Sequence, residues 1–180
     1  MRIGLAGTQS VGKTTLLNAL RSERIFKDYS ICDETTRQVK AMGFNINEQG
    51  NDNTQYIIML KHLENAFMYT DMLTDRTALD CIVYSDYLKD QGNLSLSMFK
   101  HLEQMFLKIW PMYDKVFFIY PEFNLVEDGV RSADEAFRSS IHKKFLQIID
   151  RYELDMNSVT GSVVQRVQQV IAAVTVKGTH

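Results

Sequence analysis

The 180-residue sequence predicts one α/β domain, residues 1–180, in three layers: about five parallel strands between helices on both faces. Three observations carry that expectation. Short apolar runs alternate with stretches of helical period rather than with hairpin turns, so the strands need crossover connections and a mostly parallel sheet. The first of these runs leads into a glycine loop that opens a helix, as a βα unit requires. The balance of 45% apolar and 23% charged residues suits a single ordinary core, with no linker, repeat or low-complexity block to divide it.

Arg2–Ala6 (RIGLA) is a short apolar run closed by glycine, the pattern of a buried strand. Residues 11–20 follow as a helix, with Val11, Leu16, Leu17 and Leu20 at roughly helical spacing. Residues 29–32 read as a second strand, with a helix starting at Glu34. The polar stretch from Asn45 to Asn53 is a loop. Ile57, Leu60, Leu63 and Phe67 then recur at three- and four-residue steps, which predicts a long amphipathic helix with these side chains facing the core. Residues 72–74 form a candidate third strand, and 115–120 (KVFFIY) the clearest one. Helices over about 137–152 and 161–174 close the chain. Met59, Met68, Tyr69, Met72, Phe99, Met105, Phe106 and Trp110 fall largely at helical spacing and read as core.

Twenty basic residues stand against twenty-two acidic ones, a net charge of −2 that argues against a nucleic-acid coat while leaving room for a local basic patch. Cys32 and Cys81 match neither a disulfide framework nor a zinc pattern and fit a reducing cytosol. The N-terminal stretch does not read as a signal peptide, and no run nears the ~18 apolar residues of a membrane span, so the expectation is a cytoplasmic protein with no membrane partner. His62, His101, His142 and His180 share no metal-ligand spacing and receive no role.

Gly7-Thr8-Gln9-Ser10-Val11-Gly12-Lys13-Thr14 fits G-x-x-x-x-G-K-[ST] at every fixed position, between an apolar strand and a helix. Glycines let the backbone wrap phosphates, consecutive N–H groups form an anion nest, and the helix N-terminus adds positive potential at the same point. Gly7, Gln9, Ser10, Val11, Gly12, Lys13, Thr14 and Thr15 are therefore the candidate nucleotide-binding residues. Lys13 would neutralise the β- and γ-phosphates of ATP, and the Thr14 hydroxyl would ligate Mg²⁺.

The chain lacks the D-x-x-G and Asn-Lys-x-Asp segments of a GTPase and is short for a motor ATPase. Asp75-Arg76-Thr77 instead follows the third apolar run. Asp75 at a strand end suits Mg²⁺, and Arg76 suits a clamp on the migrating phosphoryl group; the alternative is a helix cap and a surface ion pair. Asp33 and Glu34 follow the second strand at the edge where the phosphate loop lies, so either is a candidate base toward an acceptor hydroxyl, and either also suits a helix N-terminus. Gln55 and Tyr56 could read an acceptor base, against ordinary packing. Residues 129–135 suit a mobile lid, about 124–140 in all, that brings Arg131 over the phosphates. Arg138, Lys143, Lys144 and Arg151 read as a solvated helix face.

GTQSVGKTT, CDETTR, the asparagine-rich loop with Thr54-Gln55, DRT and DGVRS together resemble the small P-loop kinases of the nicotinamide-riboside-kinase-like group. Such domains are often labelled only as AAA-type ATPases, and many occur in bacteriophages. The layout is also similar to deoxynucleoside and thymidylate kinases. The resemblance implies a P-loop kinase fold, with Lys13 and Thr14 on ATP·Mg²⁺, Asp33 or Glu34 as base, Asp75-Arg76 at the metal and phosphate side, and Arg131 as lid arginine. The acceptor side then draws on Asp33, Arg37, Gln55 and Arg76. The implied activity is ATP-dependent transfer to a hydroxyl of a nucleoside, a nucleotide or a modified pyrimidine, including 5-hydroxymethyluracil in phage DNA. The alternative is a regulatory ATPase whose nucleotide orders the lid to present a surface. DNA is thus one partner to test, and the oligomeric state stays open, a dimer included. Lys13→Ala is expected to remove most turnover while leaving the circular dichroism spectrum intact; retained turnover would refute the phosphate-loop assignment.

Overall fold

The computed structural model describes residues 1–33, 35–121 and 135–175. Five strands, β1 (Arg2–Ala6), β2 (Ser30–Cys32), β3 (Met72–Asp75), β4 (Lys115–Ile119) and β5 (Asn157–Val159), form one sheet in the order β2-β3-β1-β4-β5. Every pairing is parallel. The helices are α1 (Lys13–Arg21), α2 (Thr35–Ala41), α3 (Asp52–Met68), α4 (Ala78–Asp90), α5 (Leu96–Ile109), α6 (Glu135–Arg151) and α7 (Val163–Thr175).

Alternation along the strands feeds two cores. Phe117 and Ile119 of β4 join Ile3, Leu5 and Leu73 on the face covered by α1 and α7, with Leu16, Leu17, Leu20 and Val170 from those helices. Val116 and Phe118 point the other way, into a larger core built from α3, α4, α5 and α6. The expected three-layer arrangement with five parallel strands is therefore the observed one. In a parallel sheet all strands end at one edge, and the loops beyond that edge are where a ligand site belongs.

Several expectations change. The first helix starts at Lys13, so Val11 belongs to the glycine loop, though buried. α4, α5 and β5 have no counterpart in the sequence reading. In α4 every residue from Ala78 to Asp86, and Leu88, is buried, so no stripe of helical period marks it. α3 exists as expected but buries a different face: Thr54, Gln55, Ile58, Met59, His62 and Ala66. Leu60 and Phe67 are exposed instead, as are Met68 and Tyr69, which do not belong to the core. The apolar spacing misleads here because the buried face of α3 carries polar side chains along a cavity.

Arg138 departs from its expected solvated position. It is 6% exposed, with Nε and Nη2 lacking hydrogen-bond partners among the described residues. Lys144 is tied to Asp86 of α4 at 2.6 Å, while Lys143 and Arg151 are exposed as expected. No helix among the described residues is long and apolar enough to cross a membrane.

Close packing at the carboxyl edge depends on Gly4, where an added Cβ would lie 2.3 Å from Thr77 Cγ2. Thr77 is fully buried and fixed by its helix-capping bonds, so it has little room to give. Gly4→Ala is expected to lower unfolding stability in urea by about 1–3 kcal/mol; an unchanged midpoint would contradict this packing.

Candidate active site

The glycine loop rises from the end of β1 and re-enters the fold at α1. Gly7 has φ 145° and lies so close to β4 that a Cβ would be 2.6 Å from the Ile119 carbonyl oxygen, while Gly12 caps α1 at φ 88° in the left-handed region. Both glycines are thus required by the backbone, as the motif implies. Lys13 Nζ donates to the carbonyl oxygens of Gly7 and Thr8, each at 2.6 Å, so the loop folds around its own cation. Thr8 Oγ1 and Gln9 Nε2 are buried without hydrogen-bond partners among the described residues. Thr15 is exposed on the first turn of α1.

Parallel pairing of β1 and β3 sets Leu5 beside Asp75. That register brings the end of β3 to the first turn of α1, where Thr14 Oγ1 donates to Asp75 Oδ2. Asp75 Oδ1 is buried with no partner among the described residues. A hydroxyl and a carboxylate side by side, with one carboxylate oxygen unsatisfied, are the hard oxygen donors that fit Mg²⁺. Among the described residues no group of three or more His, Cys, Asp or Glu could hold a metal. A cation here would therefore need phosphate and water oxygens as well.

Arg76 is neither a helix cap nor a surface partner. It has φ 129°, a left-handed backbone that costs a non-glycine residue on the order of 1–3 kcal/mol. Its side chain is 16% exposed, with Nη1 3.9 Å from Asp80 Oδ1 and the guanidinium 5.5 Å from the centre of the Tyr84 ring. Burial works against its charge, but Tyr84, Asp80 and Asp75 outweigh that and raise its pKa. The cap of α4 is Thr77, whose backbone N–H donates to Asp80 Oδ2 at 2.9 Å. Burial raises the pKa of Asp80, and Lys13, Arg76 and the Thr77 bonds hold it back.

Two cavities meet at Arg76. One, of about 220 Å³, is lined by Gln9, Ser10, Gly12, Lys13, Asp75 and Arg76. The other, of about 310 Å³, is lined by Thr36, Asn47, Gln55, Ile58, His62, Arg76, Asp80, Cys81 and Tyr84. Tyr84 ties the two together, because its hydroxyl donates to Gln9 Oε1 at 2.9 Å while its ring faces Arg76. Gln55, an expected acceptor contact, lines the second cavity, and its Oε1 accepts from Ser85 Oγ at 3.4 Å. Tyr56 does not reach the cavity and packs on His101, with ring centres 5.7 Å apart.

Asp33 is half-buried at the end of β2 and Arg37 half-buried on α2; neither lines either cavity. Glu34, Arg131 and the greater part of the expected lid lie outside the described residues. Burial, then Asp33, pushes the Cys32 thiol up to about 11, and burial raises Cys81 further, so both stay protonated near neutrality.

Four contributors escape the sequence reading: His62, Asp80, Tyr84 and Arg166. Arg166 of α7 is 1% exposed; its Nη1 donates to the Val11 carbonyl at 2.8 Å and its Nε to Gly161 at 2.9 Å. The last helix thereby holds the phosphate loop from behind. The signal was present, since Arg166 falls within the apolar stripe of Val163, Val167 and Val170.

A family model described as an AAA domain matches residues 2–166. The chain belongs to that family. Among solved structures, M. mycoides deoxyadenosine kinase with dCMP and dCDP superposes with a TM-score of 0.70 at 15% identity, over 97% of this chain and 98% of that one. The NadR protein in complex with NAD and AMP-PNP gives a TM-score of 0.70 at 16% identity, over 96% of this chain but 48% of NadR. YorR from Bacillus subtilis, in complex with phosphorylated GDP, gives 0.63 at 16% identity over 100% and 99%. No curated protein sequence matches. At these identities the structural likeness establishes the fold, which is that of P-loop kinases.

Because Arg166 supplies the bond that holds the Val11 carbonyl, Arg166→Leu strips a buried acceptor of this donor. The expected loss is about 1–3 kcal/mol of unfolding free energy in urea. An unchanged midpoint would show that the loop does not need this support.

Proposed function

We propose that the chain is an ATP-dependent phosphotransferase that moves the γ-phosphoryl group to a hydroxyl of a nucleoside or nucleotide. The observation that carries this reading is the sharing of Arg76 between the cavity at the glycine loop and a second cavity walled by Gln55, His62 and Tyr84. One guanidinium can then touch the group in transit from either side. The likeness in fold to a deoxyadenosine kinase, NadR and YorR supports the same reading.

In this reading the loop N–H groups and Lys13 hold the β- and γ-phosphates, with Lys13 exchanging its bonds to Gly7 and Thr8 for phosphate oxygens. Thr14 and Asp75 would hold Mg²⁺, which supplies charge neutralisation across the phosphates. Gln9, held by Tyr84, keeps its unsatisfied Nε2 for a phosphate oxygen. Asp33 or Glu34 accepts the proton of the attacking hydroxyl, and Arg131 completes the clamp from the lid. The protein contributes position and charge, with no covalent step of its own. The protonated thiols of Cys32 and Cys81 suit that economy.

γ-Labelled ATP with Mg²⁺ and an acceptor panel tests the reading: free deoxynucleosides, their monophosphates, nicotinamide riboside, and DNA with and without 5-hydroxymethyluracil. Label is expected on a nucleoside or nucleotide. Label released only as inorganic phosphate, whatever the acceptor, would overturn transfer in favour of a regulatory ATPase. Asp75→Asn is expected to lower turnover about 10- to 100-fold at limiting Mg²⁺ and to recover in part as Mg²⁺ is raised. No dependence on Mg²⁺ in either protein would remove Asp75 from the metal site.

A further inference from the structure

Nε2 of His62 is buried at the wall of the larger cavity and has no hydrogen-bond partner among the described residues. The residue is 1% exposed and shares the buried face of α3 with Gln55, seven positions earlier. Seven residues are about two helical turns, or ~10.5 Å along the axis. That spacing places both polar side chains along the wall of the same cavity. A buried polar atom without a partner is uncommon and asks for a reason. Packing gives none, since an apolar side chain would fill the same place among Ile58, Met59 and Ala66 without stranding a nitrogen.

We infer that His62 is a specificity-determining residue of this cavity, giving its Nε2 to a hydrogen-bonding atom of an uncharged nucleoside base. The inference rests on the phosphotransferase reading, because it takes the cavity to be the acceptor site. Charge around the cavity points the same way. Arg76 is cationic, and the unsatisfied Asp80 Oδ1 lies 3.9 Å from its Nη1, so these two charges are matched within the wall. Among the described residues no other carboxylate lines the cavity. Burial first, and Arg76 second, pull the His62 pKa down to about 3, so the imidazole stays neutral and offers one N–H and one lone pair. An amide or amino edge of a neutral base is matched to such a ring. A permanently cationic ring, as in nicotinamide riboside, would instead meet the like charge of Arg76 on the wall.

The test compares the wild type with His62→Leu and His62→Gln. KM and kcat are measured for the four deoxynucleosides and for nicotinamide riboside. Acceptor binding is measured separately by calorimetry with a non-hydrolysable ATP analogue and Mg²⁺ present. His62→Leu is expected to raise KM for the preferred deoxynucleoside about 10- to 100-fold with kcat and the KM for ATP little changed, the loss expected when a buried hydrogen-bonding group is removed. His62→Gln should recover part of that loss. Nicotinamide riboside should be at least about tenfold poorer in kcat/KM with the wild type. An unchanged KM in His62→Leu, an equal loss for every acceptor together with a lowered melting temperature, or nicotinamide riboside as the best acceptor would each overturn the inference. The two readings fail separately. Nucleoside binding that is lost in His62→Leu without any label transfer would sink the kinase reading and support the role of His62. Label transfer unaffected by the substitution would sink the role of His62 alone, and no acceptor binding at all would sink both.

Discussion

Thr14 reaches Asp75 because β1 and β3 run parallel with Leu5 paired to Asp75, which ends the two strands level at one edge of the sheet. A one-residue slip would swing Asp75 to the opposite face of the sheet, away from α1 and Thr14. Thr74 is itself committed, its hydroxyl donating to the Cys32 carbonyl of β2 at 3.0 Å and to the Arg76 carbonyl at 2.8 Å. These bonds fix the turn in which Arg76 adopts its positive φ. Strain at one residue persists when its neighbours over-determine it, and here β2, β3 and the Thr77 cap all do so. The result is a guanidinium placed between two cavities.

Around Arg76 the interior is polar to an unusual degree for a domain core. Gln55, His62, Asp80, Ser85 and Asp86 are all buried on α3 and α4. Buried polar groups cost free energy unless matched, and most are: Asp80 by Thr77, Asp86 by Lys89 and Lys144, Ser85 by the Cys81 carbonyl. Among the described residues the buried side-chain atoms without a partner are Thr8 Oγ1, Gln9 Nε2, Asp75 Oδ1, Asp80 Oδ1 and His62 Nε2 at the glycine loop and the two cavities, with Arg138 Nε and Nη2 and His142 Nδ1 on α6. Five of these eight atoms lie at the glycine loop or the two cavities, as a substrate-completed site would leave them. Phe137 packs edge-to-face on Tyr84 with ring centres 6.0 Å apart, so the beginning of α6 bears on the same group of side chains.

The phosphate loop was fully legible, because its chemistry demands particular residues at fixed spacing: glycine where φ is positive, lysine and threonine at the helix start. Asp75-Arg76 was legible as a pair after an apolar strand, though not its burial. The second cavity was much less so. α3 buries Gln55 and His62 and leaves Leu60 and Phe67 in solvent, so a hydropathy pattern alone chooses the wrong face. α4 is buried nearly all round and has no periodic contrast to read. Arg138 resembles a solvated helix charge until the tertiary contacts that enclose it are known. Local motifs survive in one dimension; a cavity wall assembled from α2, α3, α4 and the end of β3 does not.

That the two cavities are halves of one phosphoryl-transfer site is the claim on which the rest stands. Calorimetry with a bisubstrate ligand, adenosine joined through an oligophosphate to the preferred deoxynucleoside, measures it directly. The account predicts one ligand per chain, tighter binding than ATP or the nucleoside alone, and displacement by either of them. A ligand that competes only with ATP, and binds no more tightly than ATP, would contradict it.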